Sequence, residues 1–151
     1  MTDDRWSGEV RRIASLIKDI DICMLVTRDG QDLRGRPMSN NGEVEFDGDS
    51  WFFALRDSAK VRQIEADPSV ELAYIATERG AWVSIEGGAQ IVTDDARKRA
   101  LWMEDLRMWF PDGPEDDGVV LLKVQAERLH AWGSDGETVV ERGQAARSVA
   151  G

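Results

Sequence analysis

Three Asp-Gly or Asn-Gly dipeptides in the first third of the sequence constrain the fold of this chain more than any other feature. They stand at Asp29-Gly30, Asn41-Gly42 and Asp47-Gly48, between short runs rich in β-branched and aromatic residues. Such dipeptides accept the positive φ angles of tight turns and are the strongest local hairpin signal. The runs mostly adjoin one another, without the regular alternation with helices that a parallel sheet requires. The sequence therefore predicts an antiparallel meander or barrel.

The strand-forming runs between turn signals predict six or seven strands. Gly87-Gly88 interrupts one run and predicts a bulge or a close backbone approach. The segment 43–46 stands between two of the turns. The predicted strands cover residues 20–28, 33–40, 50–56, 70–76, 81–92, 119–132 and 137–141.

Three segments, residues 7–19, 58–66 and 93–110, have the character of helices. Ser7 and Thr93 are the expected N-caps of the first and the third, and the third is predicted to be the longest helix. Helices at the rim of an antiparallel barrel account for the whole pattern. Closure of that barrel would remove exposed sheet edges. The predicted fold class is therefore mainly β with flanking helices.

Length and composition limit the functions that are open to the chain. A chain of 151 residues is the size of one domain, predicted over 1–151 with a core at about 8–140 and a frayed tail. The net charge of −10 argues against nucleic-acid and membrane-surface partners. No signal peptide and no run near ~18 apolar residues is visible, so the expected location is cytoplasmic.

One cysteine and one histidine exclude most metal and nucleophile chemistry. Cys23 cannot form an internal disulfide, and it lies in an apolar run where a buried, inert thiol is expected. His130 alone makes a histidine-built metal site or a Ser-His-Asp triad improbable, and its structural role is favoured over a catalytic one. No metal site is predicted, and the catalytic residues stay unknown.

The start of the second predicted helix is a candidate anion site. Ser58 stands at its N-cap and Lys60 in its first turn, where a cation opposes the helix dipole. A bound phosphate would reverse that conflict, because backbone N–H groups, the Ser58 hydroxyl and the Lys60 ammonium would converge on one anion. An ordinary serine cap beside a solvated lysine explains the same residues.

The segment 34–39 is a second candidate. Arg34 and Arg36 share one face of a strand, and Pro37 cannot donate to a ladder. The strand is therefore an edge at this point, and an open backbone beside Arg36 suits a planar polar ligand. The alternative is an edge blunted by proline and charge.

Six tryptophans are many for a chain of this length. Trp51 and Trp82 are expected in the core or lining the barrel. Trp102 and Trp109 are expected on one helix face with Leu106 between them, which favours packing. Trp132 ends the last long strand, where it could stack on a ligand ring or pack in the core, and His130 should share its face.

These residues together resemble the pyridoxamine 5′-phosphate oxidase-like split-barrel flavoproteins, and most closely their general stress protein 26-like group. The resemblance covers residues 8–140 in consistent order. Its motifs are Asp29-Gly30, Arg36-Pro37-Met38, Trp51-Phe52-Phe53, Asp57-Ser58-Ala59-Lys60-Val61, Asp67-Pro68-Ser69-Val70, Val83-Ser84-Ile85-Glu86-Gly87-Gly88-Ala89, Phe110-Pro111 to Gly113, and Ala131-Trp132-Gly133.

The resemblance implies a six-stranded split barrel and a homodimer that holds FMN at the subunit interface. It implies that Arg36 approaches the phosphate and that the backbone of Pro37, Met38 and Ser39 contacts the isoalloxazine ring. It further implies a pocket wall at Phe53 and Ala54, phosphate contacts from Ser58 and Lys60, and contributions of Trp82 and Trp132 from the partner subunit.

Three departures qualify the expected activity. Ala54 and Leu55 replace residues that often carry hydroxyls in the group, and Ala59 replaces a second basic residue of the oxidases proper. Activity as a true pyridoxamine 5′-phosphate oxidase is therefore not expected. The leading expectation is a low-specificity FMN-dependent oxidoreductase. The alternatives are a non-enzymatic flavin-binding or stress-associated module, a relative that uses deazaflavin F420, and a scaffold that binds no cofactor.

Overall fold

A computed structural model of the chain describes residues 4–40 and 44–143. The predicted turn at 41–42 and the C-terminal tail from 144 onward lie outside the described residues. The helices are α1 (Asp4–Ile17), α2 (Ala59–Ala66) and α3 (Asp95–Leu101), and 3₁₀ turns cover Thr77–Arg79 and Glu104–Met108. The strands are β1 (Ile22–Asp29), β2 (Asp32–Ser39), β3 (Asp49–Leu55), β4 (Ser69–Ala76), β5 (Ala81–Val92), β6 (Val119–Gly133) and β7 (Gly136–Glu141).

All seven strands belong to one antiparallel sheet, as the turn pattern predicts. Their order is β2-β1-β4-β5-β6-β3, and β7 pairs with β6 beside this path. The sheet is not closed, because in the described part of the chain β2 and β3 each pair with one strand only. The expectation that closure removes the exposed edges is therefore wrong. The connection between the two edges runs as irregular chain over 44–46, with Phe46 packed into the core.

The core lies on the inner face of this curved sheet. Alternate residues of the strands point inward, so that Leu25, Leu72, Ile85 and Leu129 are completely buried. Helix α1 closes one side of the core with an apolar stripe, and α2 contributes its two buried residues. The stripe of α1 consists of Val10, Ile13, Ala14 and Ile17.

The Gly-Gly pair in β5 forms the predicted irregularity. The register between β5 and β6 shifts between Glu86 and Gly87. A Cβ atom on Gly87 would lie 2.0 Å from the backbone oxygen of Gln125, whereas Gly88 has open space around it. Gly87 is therefore required by the close approach of two strands.

Two helix boundaries differ from the sequence prediction. Helix α1 begins at Asp4, so Ser7 lies within the helix and does not cap it. Helix α3 ends at Leu101, because Trp102 and the residue after it are extended. Asp94 caps α3 by accepting a hydrogen bond from the amide of Ala96 at 3.2 Å, in place of Thr93.

The third helix is short because tertiary contacts override its helical propensity. Trp102 leaves the helix to pack edge-on against Phe53, with ring centroids 5.4 Å apart. Trp109 lies beyond the next 3₁₀ turn and is 67% exposed, so the two tryptophans do not share a helix face. Lys98 is completely buried, and its ammonium donates to the backbone oxygens of Asp116 and Val119.

Within residues 4–40 and 44–143, no helix combines the length and apolar character that crossing a membrane requires.

Candidate cofactor-binding site

Arg36 and Lys60 form a pair of neighbouring cations. Arg36 lies on β2 and points to the inner side of the sheet, like the buried Met38 two residues later. Lys60 lies in the first turn of α2. Burial lowers the pKa of Lys60, and the positive charge of Arg36 lowers that pKa further. The pKa of Arg36 is also lowered by burial.

No carboxylate of the described residues forms an ion pair with either cation. Arg34, on the same face of β2 as Arg36, contrasts with it. The Arg34 guanidinium contacts Asp29 and Asp32 at 3.3 and 3.4 Å. In a chain of net charge −10, two partly buried cations without a counter-charge have the chemistry that binding of an anion requires.

Neutral groups hold the Arg36 guanidinium in place. Its Nη1 donates to the backbone oxygen of Leu25 at 3.2 Å and to Thr27 Oγ1 at 2.9 Å. Its Nη2 donates to Gln63 Oε1 at 2.8 Å. Thr27 Oγ1 also donates to Gln63 Oε1, at 2.5 Å, so that the three side chains form a closed triangle.

Thr27 and Gln63 are not among the predicted site residues, although two signals point to them. Gln63 follows Lys60 by three residues and therefore shares its face of α2. Thr27 belongs to the inward-facing series of β1 with Cys23 and Leu25, and the hairpin register places it opposite Arg34, two residues before Arg36. The spacing of Gln63 is in the sequence itself, but connecting either residue to Arg36 requires the hairpin register and the packing of α2 on β1.

Ser58 occupies the N-cap position of α2, as predicted, but its hydroxyl does not cap the helix. The hydroxyl donates to the backbone oxygen of Leu55 at 2.7 Å. The structure thus places Ser58 and Lys60 at the same helix end. The backbone N–H groups of the first turn donate no hydrogen bond to the Ser58 side chain.

The other residues that are predicted to contact the flavin ring or to form the wall of its pocket lie on the two edge strands. Strand β2 ends the sheet, in agreement with the interpretation of Pro37 as an edge residue. Pro37 and Ser39 are exposed on the opposite face from Met38. Strand β3 is the other edge, where Ala54 is buried and Phe53 packs against Trp102 and Phe110.

The two tryptophans that are predicted to act from the partner subunit lie away from these residues within one chain. Trp82 and Trp132 are directly opposite each other on β5 and β6, and they are 49% and 38% exposed. Strands β1 and β4 separate them from Arg36, and their side chains point to the other side of the sheet. The expectation that Trp82 belongs to the core is therefore wrong, because its neighbours Ala81 and Val83 take the inward positions.

The tryptophan pair belongs to an exposed apolar surface, which we call the outer face. It continues across neighbouring strands, because Ile75 is paired with Trp82, and Met24 with Ala73. Exposed apolar surface of this kind marks interaction sites. The outer face consists of Ile22, Met24, Ile75, Trp82 and Trp132.

His130 and Cys23 have structural surroundings. The His130 ring stacks on Trp132 with centroids 3.7 Å apart, as their shared face predicts, and its Nε2 lies 2.6 Å from a Glu137 carboxylate oxygen. Cys23 is buried, and burial raises its pKa to about 11. The thiol is therefore un-ionised at neutral pH and is not a nucleophile.

Comparison with known proteins identifies the family. The sequence model described as pyridoxamine 5′-phosphate oxidase like matches residues 8–151. The chain belongs to this family. Protein bli-3 of Neurospora crassa is 26% identical over 132 residues, which cover 81% of this chain and 63% of that protein. The chain thus spans less than two thirds of the length of that curated relative.

Solved structures of family members have the same fold. General stress protein 26 of Bacillus anthracis superposes with a TM-score of 0.75 at 22% identity, covering 89% of this chain and 98% of the other. The general stress FMN/FAD binding protein of Xanthomonas citri gives a TM-score of 0.71 at 24% identity, covering 95% and 99%. The expected split-barrel fold of the general stress protein 26-like group is therefore confirmed.

Proposed function

We propose that this protein binds FMN as a homodimer, with each cofactor held between two subunits. The observation that carries this proposal is the pair Arg36 and Lys60, two adjacent cations with no carboxylate partner among the described residues. The 5′-phosphate of FMN supplies the missing negative charge. The similarity to a Xanthomonas citri protein that is itself an FMN/FAD binding protein supports a flavin as the ligand.

The open edges of the sheet suit the planar ring of the flavin. The free backbone of β2 over Pro37, Met38 and Ser39 lies on the strand that carries Arg36. A ring placed along it would keep its phosphate at the Arg36–Lys60 pair. The edge at Phe53 and Ala54 would wall the same ligand, and the Ser58 hydroxyl would turn from the backbone oxygen of Leu55 to donate to the phosphate.

The outer face provides a surface on which a second subunit would pack. Trp82 and Trp132 cannot reach Arg36 of their own chain, because two strands and the sheet itself intervene. A second copy that packs on the outer face would bring its own tryptophan pair to the side of the sheet opposite Arg36, so the ligand would lie at the edge strand β2, which borders both sides. Burial of these apolar side chains stabilises the same contact.

The proposed activity is that of a low-specificity oxidoreductase. The flavin itself supplies the transfer of electrons when it is bound. The chain's own residues hold the phosphate, orient the ring and exclude water from it. Cys23 and His130 are not proposed as a general acid or base, since Cys23 is buried and His130 contacts Glu137.

Flavin titration of purified protein tests the binding proposal. FMN should bind with quenched fluorescence, and Lys60→Ala should weaken it by ~1.5–3 kcal/mol through loss of a charge-assisted contact. Arg62→Ala is the matched control, because Arg62 is a cation on the same helix whose Nη1 donates to the backbone oxygen of Asp57. Equal effects of both substitutions, or tighter binding of F420 than of FMN, would contradict the proposed site.

A turnover assay tests the activity separately. Bound FMN should be reduced by NADH or NADPH and reoxidised by an added acceptor over many cycles. Stable FMN binding without reduction would identify a non-enzymatic flavin-binding module. That result would leave the binding site intact and refute the oxidoreductase.

A further inference from the structure

Arg36 differs from six other arginines of this chain in the partners that hold it. Arg12, Arg34, Arg79, Arg107, Arg128 and Arg142 all contact carboxylates. Arg36 is held instead by a backbone carbonyl, a hydroxyl and an amide oxygen, from Leu25, Thr27 and Gln63. These acceptors fix its orientation and leave its charge uncancelled.

The hydrogen-bonding groups of Arg36 determine the orientation of the Gln63 amide. A guanidinium carries only donors, so the Gln63 atom that faces Arg36 must be the carbonyl oxygen. The same oxygen also accepts from Thr27. A glutamate at this position could accept both hydrogen bonds in the same geometry and would add one negative charge. Substitutions at Gln63 can therefore distinguish two effects, which are the positioning of Arg36 and the net charge of the site.

Two N–H groups of Arg36 have no hydrogen-bond acceptor in the described part of the chain. Both hydrogens of Nη1 and one of Nη2 are used by the contacts above. The Nε–H and the second Nη2–H, which lie along one edge of the planar group, have no hydrogen-bond partner among residues 4–40 and 44–143. Such an edge binds two oxygens of one phosphate or carboxylate.

We propose that Gln63 is a positioning residue that sets the charge selectivity of the site. As a neutral acceptor it aims Arg36 and keeps two full positive charges, those of Arg36 and Lys60, available to one ligand. The site therefore selects a phosphate monoester, which carries close to two negative charges at neutral pH. This inference rests on the proposed function only in naming FMN as that monoester.

Two substitutions at Gln63 separate charge from positioning. Gln63→Glu keeps the hydrogen-bond acceptor and cancels one cation, whereas Gln63→Leu removes the acceptor and leaves both cations. We expect FMN affinity to fall in the order wild type, Gln63→Leu, Gln63→Glu, with the glutamate variant weakened roughly tenfold or more. A purely structural role for Gln63 predicts the reverse order of the two variants.

Riboflavin and a distant charge serve as controls. Riboflavin lacks the phosphate, so its affinity should be the same in wild type and in Gln63→Glu. Gln90→Glu adds the same charge at an exposed position on β5 and should leave FMN affinity unchanged. Thermal melting of each variant without ligand establishes that it is folded. The inference is overturned if Gln63→Glu binds FMN as tightly as Gln63→Leu or more tightly.

Inorganic phosphate provides a readout that does not depend on a flavin. Phosphate should raise the melting temperature of the wild type and have a much smaller effect on Gln63→Glu. If wild type binds no FMN but shows this phosphate effect, the proposed function fails and the charge selectivity of the site stands. If phosphate stabilises both proteins equally, or neither, the inference fails whatever FMN does.

Discussion

Truncation of Trp82 should dissociate the proposed dimer. A tryptophan side chain buries about 150–250 Å² when it is fully covered, and Trp82 is 49% exposed in the single chain. About 100 Å² per copy is thus available for burial, which corresponds to roughly 2.5 kcal/mol at ~25 cal/mol per Å². In an interface with two-fold symmetry both copies contribute Trp82, so the substitution removes this burial twice. Trp82→Ala should therefore weaken association by roughly 3–5 kcal/mol, since alanine keeps its Cβ.

Sedimentation equilibrium over a range of protein concentrations measures this change directly. A loss of 3 kcal/mol raises the dimer Kd by more than about a hundredfold. Trp109→Ala is the matched control, because Trp109 is more exposed than Trp82, at 67%, but lies outside the outer face. A Kd within about threefold of wild type for Trp82→Ala, or an equal effect of Trp109→Ala, would show that the outer face is not the interface.

Three further predictions concern the scaffold. Gly87→Ala places a Cβ 2.0 Å from the Gln125 backbone oxygen and should lower the free energy of unfolding by about 1–3 kcal/mol in urea melts; an equal loss in Gly88→Ala would contradict this, because nothing surrounds that glycine. Lys98→Met leaves the buried backbone oxygen of Val119 without the ammonium donor, whereas the Asp116 oxygen keeps the Val119 amide, and should cost about 1–3 kcal/mol; a loss below about 0.5 kcal/mol would refute the role of the ammonium. Cys23, whose pKa is raised to about 11, should resist thiol reagents at pH 8 until the protein unfolds, and rapid labelling of the native protein would disprove its burial.

The raised thiol pKa also has a consequence for stability. Unfolding returns the Cys23 pKa to its ordinary value near 9.0. The unfolded chain therefore loses the proton first as pH rises, which favours unfolding. The stabilisation is complete below pH 9 and should be lost as pH approaches 11, while Cys23→Ala should abolish this component of the pH dependence in urea melts.

Local signals predicted the strands well because their physical causes are local. The tight turn at Gly30, the Gly87 bulge and the stop at Pro68 each depend on backbone freedom at one or two positions. The length of α3 was not predictable in this way. It depends on Trp102 meeting Phe53, a contact between residues that are 49 positions apart in the chain.

The residues of the candidate site divide in the same way, into those that local sequence signals predict and those that depend on tertiary packing. Lys60 and Ser58 were found because they are adjacent on a helix start, and Arg36 because it neighbours a proline in a strand. Gln63 and Thr27 contact Arg36 across 27 and 9 residues of sequence. Their role follows only from the packing of α2 against the hairpin, which no local pattern contains.

The placement of cations and tryptophans on opposite sides of one sheet has a consequence for the protein in a cell. In the proposed assembly no single chain owns a complete site, so cofactor retention follows mass action between subunits. Dilution would release flavin and separate the chains in one coupled step, and added FMN would tighten the assembly in return. The concentration of the protein in the cell would then determine the fraction of it that holds flavin.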